Sequence, residues 1–149
     1  MEVFIMKESS FARTLRDKLS PLGQWSRIEN IAGAGIPDVN WYPGLDIWIE
    51  LKVAKGNKVL FQASQIAWAN HRHKKHGVVW IAVRTEKEII LSDSVALYNK
   101  IRYENHKPVM HVSVIKDYGV TFKKPFNWKE FISILLRDVQ FATVMGTER

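Results

Sequence analysis

The sequence predicts an α/β fold. A helix, three strands, a second helix and a further strand make one core, with a mixed central sheet flanked by helices and a helical addition at the C-terminus. Three observations carry this reading. Phe11, Leu15 and Leu19 recur at four-residue spacing, which marks one face of a helix. From Asp46 to Val53, the apolar residues Ile47, Ile49, Leu51 and Val53 alternate with Asp46, Trp48, Glu50 and Lys52, which marks a strand with two unlike faces. Val78 to Val83 is a continuous apolar run of strand length, the pattern of a strand buried on both faces.

Each element has its own signals. Ser9 or Ser10 caps the first helix, and Pro21 and Gly23 stop it. Gln24 to Ile31 alternates and reads as a strand, Ala32 to Ile36 as a flexible turn, and Pro37 to Trp41 as a short extended segment. Pro43-Gly44 turns the chain into the strand at Asp46–Val53, so these neighbouring segments pair antiparallel. Lys55-Gly56-Asn57-Lys58 reads as a loop. A second helix starts at Ser64 and runs to about His76, with Gly77 as its stop. The strand after it is free to pair in parallel, with Glu88 to Leu91 beside it. Further along, Ser94 to Ile101 reads as helix and His111 to Ile115 as strand. Asn127, with Glu130 three residues later, opens a last helix carrying Phe131, Leu135 and Val139 on one face. The tail, Thr143 to Arg149, is expected to fray.

A length of 149 residues fits one domain, residues 1–149, with a core over about 8–91 and an elaboration over about 92–149. The chain is 46% apolar and 11% aromatic, enough for a real core. Lys and Arg number 22 against 15 Asp and Glu, and the net charge of +7 points to an anionic partner, nucleic acid or an acidic membrane face. The absence of cysteine excludes disulfides, thiolate zinc sites and cysteine nucleophiles. Met1 to Lys7 has no signal-peptide pattern, and no apolar run is long enough to span a bilayer. The expectation is a soluble, cytoplasmic protein with no membrane partner.

Three residues stand out as chemistry. Asp38 enters one short strand, and Glu50 and Lys52 share one face of the next. A hairpin between the strands brings Asp38 beside Glu50. Two converging carboxylates suit a hard cation such as Mg²⁺, with the carbonyl of Leu51 as a further oxygen and Mn²⁺ as a substitute. An ammonium alongside, on Lys52, suits phosphodiester hydrolysis, where it orients water, assists its deprotonation or meets developing negative charge. Singly, Glu50-x-Lys52 also describes a same-face ion pair on an exposed strand, and Pro37-Asp38 an ordinary turn.

In combination, Gly35-Ile36-Pro37-Asp38 followed by Ile47-Trp48-Ile49-Glu50-Leu51-Lys52 resembles the PD-(D/E)XK nuclease superfamily, over roughly the first 85 residues. Within it the chain looks most like small phage-type and VRR-Nuc-like endonucleases and the archaeal-type junction resolvases. The resemblance implies a restriction-endonuclease-like αβββαβ core, with Asp38 and Glu50 as metal ligands and Lys52 as catalytic lysine. It makes Glu8 the candidate first-helix acid completing the metal site; a helix N-terminal acid complementing the dipole is the other reading. It likewise offers Gln65, then Gln62, as the glutamine that holds the attacking water or a DNA phosphate. The implied activity is Mg²⁺-dependent DNA endonuclease, leaving 5′ phosphate and 3′ hydroxyl. Structure-selective cutting by a homodimer, as in a junction resolvase, is the leading form. A site-specific homing or restriction enzyme is the alternative, and a non-catalytic basic DNA-binding module is the alternative of another class. A phage-encoded enzyme of this kind works in the bacterial host cytoplasm, in DNA recombination or repair.

Other positions are weaker. Lys55 and Lys58 follow the catalytic strand and are candidate DNA contacts or solvated loop residues. His71 to His76 is a poor metal site, because helical spacing does not converge three imidazoles on one centre. Within it, Arg72, Lys74 and Lys75 are candidate phosphate contacts at a helix end where cations complement the dipole. Ala32-Gly33-Ala34-Gly35 lacks the Lys-Ser or Lys-Thr of a nucleotide loop, so no nucleotide cofactor is expected, and its glycines let the chain turn tightly into Asp38.

Overall fold

The computed structural model describes residues 6–28, 34–75 and 77–147, with side chains to residue 137. The chain runs α1 (Glu8–Leu19), β1 (Gln24–Arg27), β2 (Val39–Tyr42), β3 (Ile47–Val53), β4 (Lys58–Leu60), α2 (Ala63–Lys74), β5 (Val78–Arg84) and β6 (Glu88–Asp93). It continues with α3 (Ser94–Tyr98), β7 (Arg102–Glu104), β8 (Lys107–His111), α4 (Val112–Tyr118), β9 (Val120–Lys123) and α5 (Trp128–Thr147). The expected αβββαβ order holds, with β4 inserted before α2. Strands β1-β2-β3-β5-β6-β9 form a six-stranded sheet. β3 and β5 run parallel because α2 carries the chain back across one face, and the other neighbours are antiparallel. Strands β4-β8-β7 form a separate three-stranded sheet. Among the described residues, no helix is long and apolar enough to cross a membrane.

The alternation along β3 and β5 divides the core in two. Ile47, Ile49 and Leu51, with Trp80 and Ala82, pack against Phe11, Leu15 and Leu19 of α1 and Phe131 and Leu135 of α5. Val79, Ile81 and Val83 pack on the other face, with Leu97 and Tyr98 of α3, Ile115 of α4 and the partly buried Ile66 and Trp68 of α2. Each fully buried leucine or isoleucine contributes about 1.5–3 kcal/mol by leaving water. The Trp41 indole donates to the Leu19 carbonyl at 2.9 Å, satisfying an end carbonyl of α1 and tying that helix to β2.

Several local expectations are corrected. Lys7, not Ser9 or Ser10, is the N-cap of α1, with no side-chain cap, because the helix starts at Glu8. Ser64 lies inside α2, which is capped at Gln62. α2 ends at Lys74, and α3 at Tyr98 rather than Ile101. β1 ends at Arg27, and the rest of the expected strand to Ile31 lies mostly outside the described residues, as does His76. His111 to Ile115 is not a strand: β8 ends at His111 and α4 begins. Its β-branched residues favour a strand locally, but fully burying Ile115 on the second face of the sheet outweighs that preference. Lys55 to Lys58 is a tight turn bridged at both ends, leading into β4. Asn127 Oδ1 caps α5 by accepting from Glu130 N–H at 3.1 Å, and the helix runs to Thr147 where fraying was expected. The side chain of Val139 lies outside the described residues. The C-terminal addition brings the expected helix α5 and also strands β7, β8 and β9.

Candidate active site

Register places the first pair. Val39 faces Ile49, Asn40 faces Trp48 and Trp41 faces Ile47, so one further step puts Asp38 opposite Glu50. Directly opposed residues share a face, with Cβ atoms about 4.5–5.5 Å apart. At this step Asp38 replaces the ladder: its Oδ2 accepts from the Leu51 N–H at 2.9 Å. A strand residue sends its N–H and C=O to the same edge. The Leu51 carbonyl therefore looks onto the edge where Asp38 sits. Gly35 holds the approach, with φ of 72°. A side chain there would collide with the Ser64 carbonyl, so only glycine lets the segment before Asp38 lie on the first turn of α2.

Period two keeps Glu50 and Lys52 on the β3 face covered by α2. Gln65, in the first turn of α2, joins them. Its Nε2 donates to Glu50 Oε1 at 3.1 Å, and its Oε1 accepts from Lys52 Nζ at 3.0 Å and from Gln62 N–H at 2.9 Å. The amide is thus held by three contacts and fixes a carboxyl and an ammonium side by side. Lys52 Nζ also lies 5.2 Å from the centre of the Phe61 ring. Gln62 itself is exposed at the helix start.

Glu50 is 2% exposed, and its Oε2 is buried without a hydrogen-bond partner. Burial pushes its carboxyl up to about 10; the neighbouring Asp38, and more weakly Glu8, push the same way, while Lys52 pulls back. Glu8 is raised too, by burial and by Asp38, against the pull of Arg27 and Lys52. Its Oε1 lies 3.3 Å from the Arg27 guanidinium. Among the described residues, no set of three His, Asp or Glu side chains forms a ready metal cage. What the fold assembles is the Asp38–Glu50 pair, with Glu8 held beside it by Arg27.

The orphaned Glu50 Oε2 is the observation that bears on a cation. A buried carboxylate oxygen costs free energy unless something binds it. Two acidic side chains and a main-chain oxygen are hard donors suited to Mg²⁺ or Mn²⁺.

The remaining sequence candidates separate. Lys55 and Lys58 line a cleft beside Lys52, and Lys58 is ion-paired to Glu104 at 3.1 Å. Arg72, Lys74 and Lys75 lie at the other end of α2, about 10–15 Å along the axis from Gln65 at 1.5 Å per residue. There Arg72 stacks 4.8 Å from Trp68 and 5.4 Å from Trp48 and lies 3.9 Å from Asp46. Two neighbours of the site carried no sequence signal. Tyr98 of α3 has its hydroxyl raised far above the usual phenol range by burial and by the charges of Glu50 and Asp38. Arg27 is legible only once β1 is laid beside β2.

A scan against protein-family models and a search of curated proteins both find no match. Among solved structures the chain is similar to Hjc, a Holliday junction resolvase from the archaeal hyperthermophile Archaeoglobus fulgidus, with a TM-score of 0.56 at 15% identity, covering 75% of this chain and 93% of that one. The likeness extends to the arrangement of helices around a mixed sheet, and the fold is of this restriction-endonuclease-like type.

Proposed function

We propose that this protein is a divalent-metal-dependent endodeoxyribonuclease that cuts branched DNA, in the manner of a junction resolvase. One observation carries the reading: two carboxyls meet across β2 and β3, one of them buried with a free oxygen, beside an ammonium fixed by Gln65. The fold shared with a junction resolvase and the net charge of +7 support it.

Asp38, Glu50 and the Leu51 carbonyl would hold Mg²⁺ or Mn²⁺, with Glu8 at the margin. Bound there, the cation polarises a phosphoryl oxygen and makes water more acidic. The chain's own groups do the rest. Lys52 keeps protons free after its bond to Gln65, and it orients the attacking water or meets charge growing on phosphorus. Gln65 spends both lone pairs on Gln62 N–H and Lys52, so its role is to position the ammonium and the Glu50 carboxyl. Lys55 meets a flanking phosphate. Cutting both strands of a branch needs two sites, so the working form is a homodimer.

The test is a digestion panel of four-way junction, flap and linear duplex of matched sequence, with Mg²⁺, Mn²⁺ or EDTA. Metal-dependent cleavage of branched DNA that disappears in Lys52→Ala supports the reading. Sequence-specific cutting of linear duplex instead points to the homing or restriction form. Salt-sensitive binding with no cleavage under either ion makes the protein a binding module.

A further inference from the structure

A cleft of about 700 Å³ opens beside Lys52. Its walls are Met6, Val53, Ala54, Val59 and Leu60, with Glu8, Lys52, Lys55 and Lys58 also in the lining. We infer that this cleft receives an unpaired base next to the cut phosphate, so the preferred substrate is branched DNA with at least one nucleotide out of the duplex stack. The inference rests on the nuclease reading for its position and names the feature of the substrate that site selects.

The chemistry of the walls decides the occupant. A phosphate is poorly served by Met, Val, Ala and Leu, which return nothing for its lost hydration. The flat face of a base is well served by them, and the volume falls in the range of small-molecule pockets, about 300–1,000 Å³; the apolar residues offer a face for the base, and the three lysines suit its phosphate. The lysines complete the match. Lys52 is fixed toward Gln65, while Lys55 makes no ion pair among the described residues and remains for the phosphate joining the extruded nucleotide to its neighbour. A paired base cannot leave its stack without cost, and an unpaired one has little to lose. Leu60, in the lining, is 53% exposed although it is a large apolar residue, as in proteins whose apolar side chains wedge between bases.

The test uses the full chain with Ca²⁺ in place of Mg²⁺ and three labelled DNAs: a duplex, the same duplex with a single-stranded flap, and the same with one bulged nucleotide. The flap or bulge nucleotide is 2-aminopurine. The expected result is binding of flap and bulge about 5-fold tighter than duplex, from apolar burial of the base, with 2-aminopurine emission rising as the base enters a wall without aromatic rings. Leu60→Ser should remove the emission rise and bring flap and bulge affinity to within about two-fold of that variant's own duplex affinity. Leu45→Ser, an exposed leucine outside the cleft, should change neither. Equal affinity for all three DNAs, or a preference that survives Leu60→Ser, overturns the inference even if Mg²⁺ cleavage is found. A preference lost in Leu60→Ser without cleavage of any DNA by the native chain upholds the cleft and overturns the nuclease reading.

Discussion

Helix α2 meets strand β3 at two places, and the two junctions are built on opposite principles. At the far end, Asp46 is fully engaged: it accepts from Asn40 Nδ2 at 2.6 Å and Trp48 Nε1 at 2.9 Å, and Arg72 lies beside it against the edge-to-face pair of Trp48 and Trp68. At the near end, Gln65 ties Glu50 to Lys52 but leaves Glu50 Oε2 buried and unpartnered. Both junctions join a carboxylate of the β2–β3 hairpin to α2. One is satisfied and holds the helix down; the other keeps unspent binding capacity. A buried acidic oxygen without a hydrogen-bond partner is costly to keep, and that cost is why the near junction is the one proposed as the site.

The largest effect that tests this contrast is on rate. Lys52→Ala should lower Mg²⁺-dependent cleavage by about 10²–10⁴-fold while largely sparing DNA affinity, measured by single-turnover assays and by binding in Ca²⁺. Turnover that persists in Lys52→Ala makes the near junction structural, like the far one.

The next effect is on stability and pH. Glu50 stays protonated in the fold up to about 10, whereas in the unfolded chain it ionises above its ordinary 4.5. Between those values the folded chain binds more protons, so stability falls as pH rises. The metal-free protein should melt at a lower temperature at pH 9 than at pH 5. Glu50→Gln should flatten that slope and raise the melting temperature at pH 8 by on the order of 5 °C, while abolishing cleavage. A steeper slope in Glu50→Gln would contradict the assignment.

Smaller effects come from the far junction. Arg72→Ala should cost about 1 kcal/mol, from lost stacking on two rings and a long ion pair, read by chemical denaturation, with cleavage within about two-fold of the native rate. Smallest is the surface charge. Lys74→Gln should lower the dependence of log affinity on log salt by about one unit if that helix end touches phosphate, and leave it unchanged if it is only solvated.

Much of this was legible in the chain. The alternation Ile47, Ile49, Leu51 against Trp48, Glu50, Lys52 is itself the statement that Glu50 and Lys52 share a face. Local signals misled elsewhere for one reason. His111 to Ile115 looks like a strand and Ser64 like a cap because propensity is read over a few residues, whereas α4 buries Ile115, and α2 starts where Gln62 meets Gln65. β7 has no apolar period, since all three of its residues are exposed, and it exists through its pairing with β8.

The sequence by itself determined the αβββαβ order, the two faces of β3 and the residues able to do chemistry, because periodicity and residue type are properties of the chain. The hairpin read from the sequence also predicts Asp38 beside Glu50; only the tertiary structure decided the register and the Asp38 bond to the Leu51 N–H, that Gln65 rather than Gln62 bridges to Lys52, and that Arg72 belongs to a separate cluster. Those facts depend on register, on the angle at which α2 crosses the sheet and on the close approach at Gly35. Such quantities are fixed by how distant segments pack, and no local run of residues encodes them.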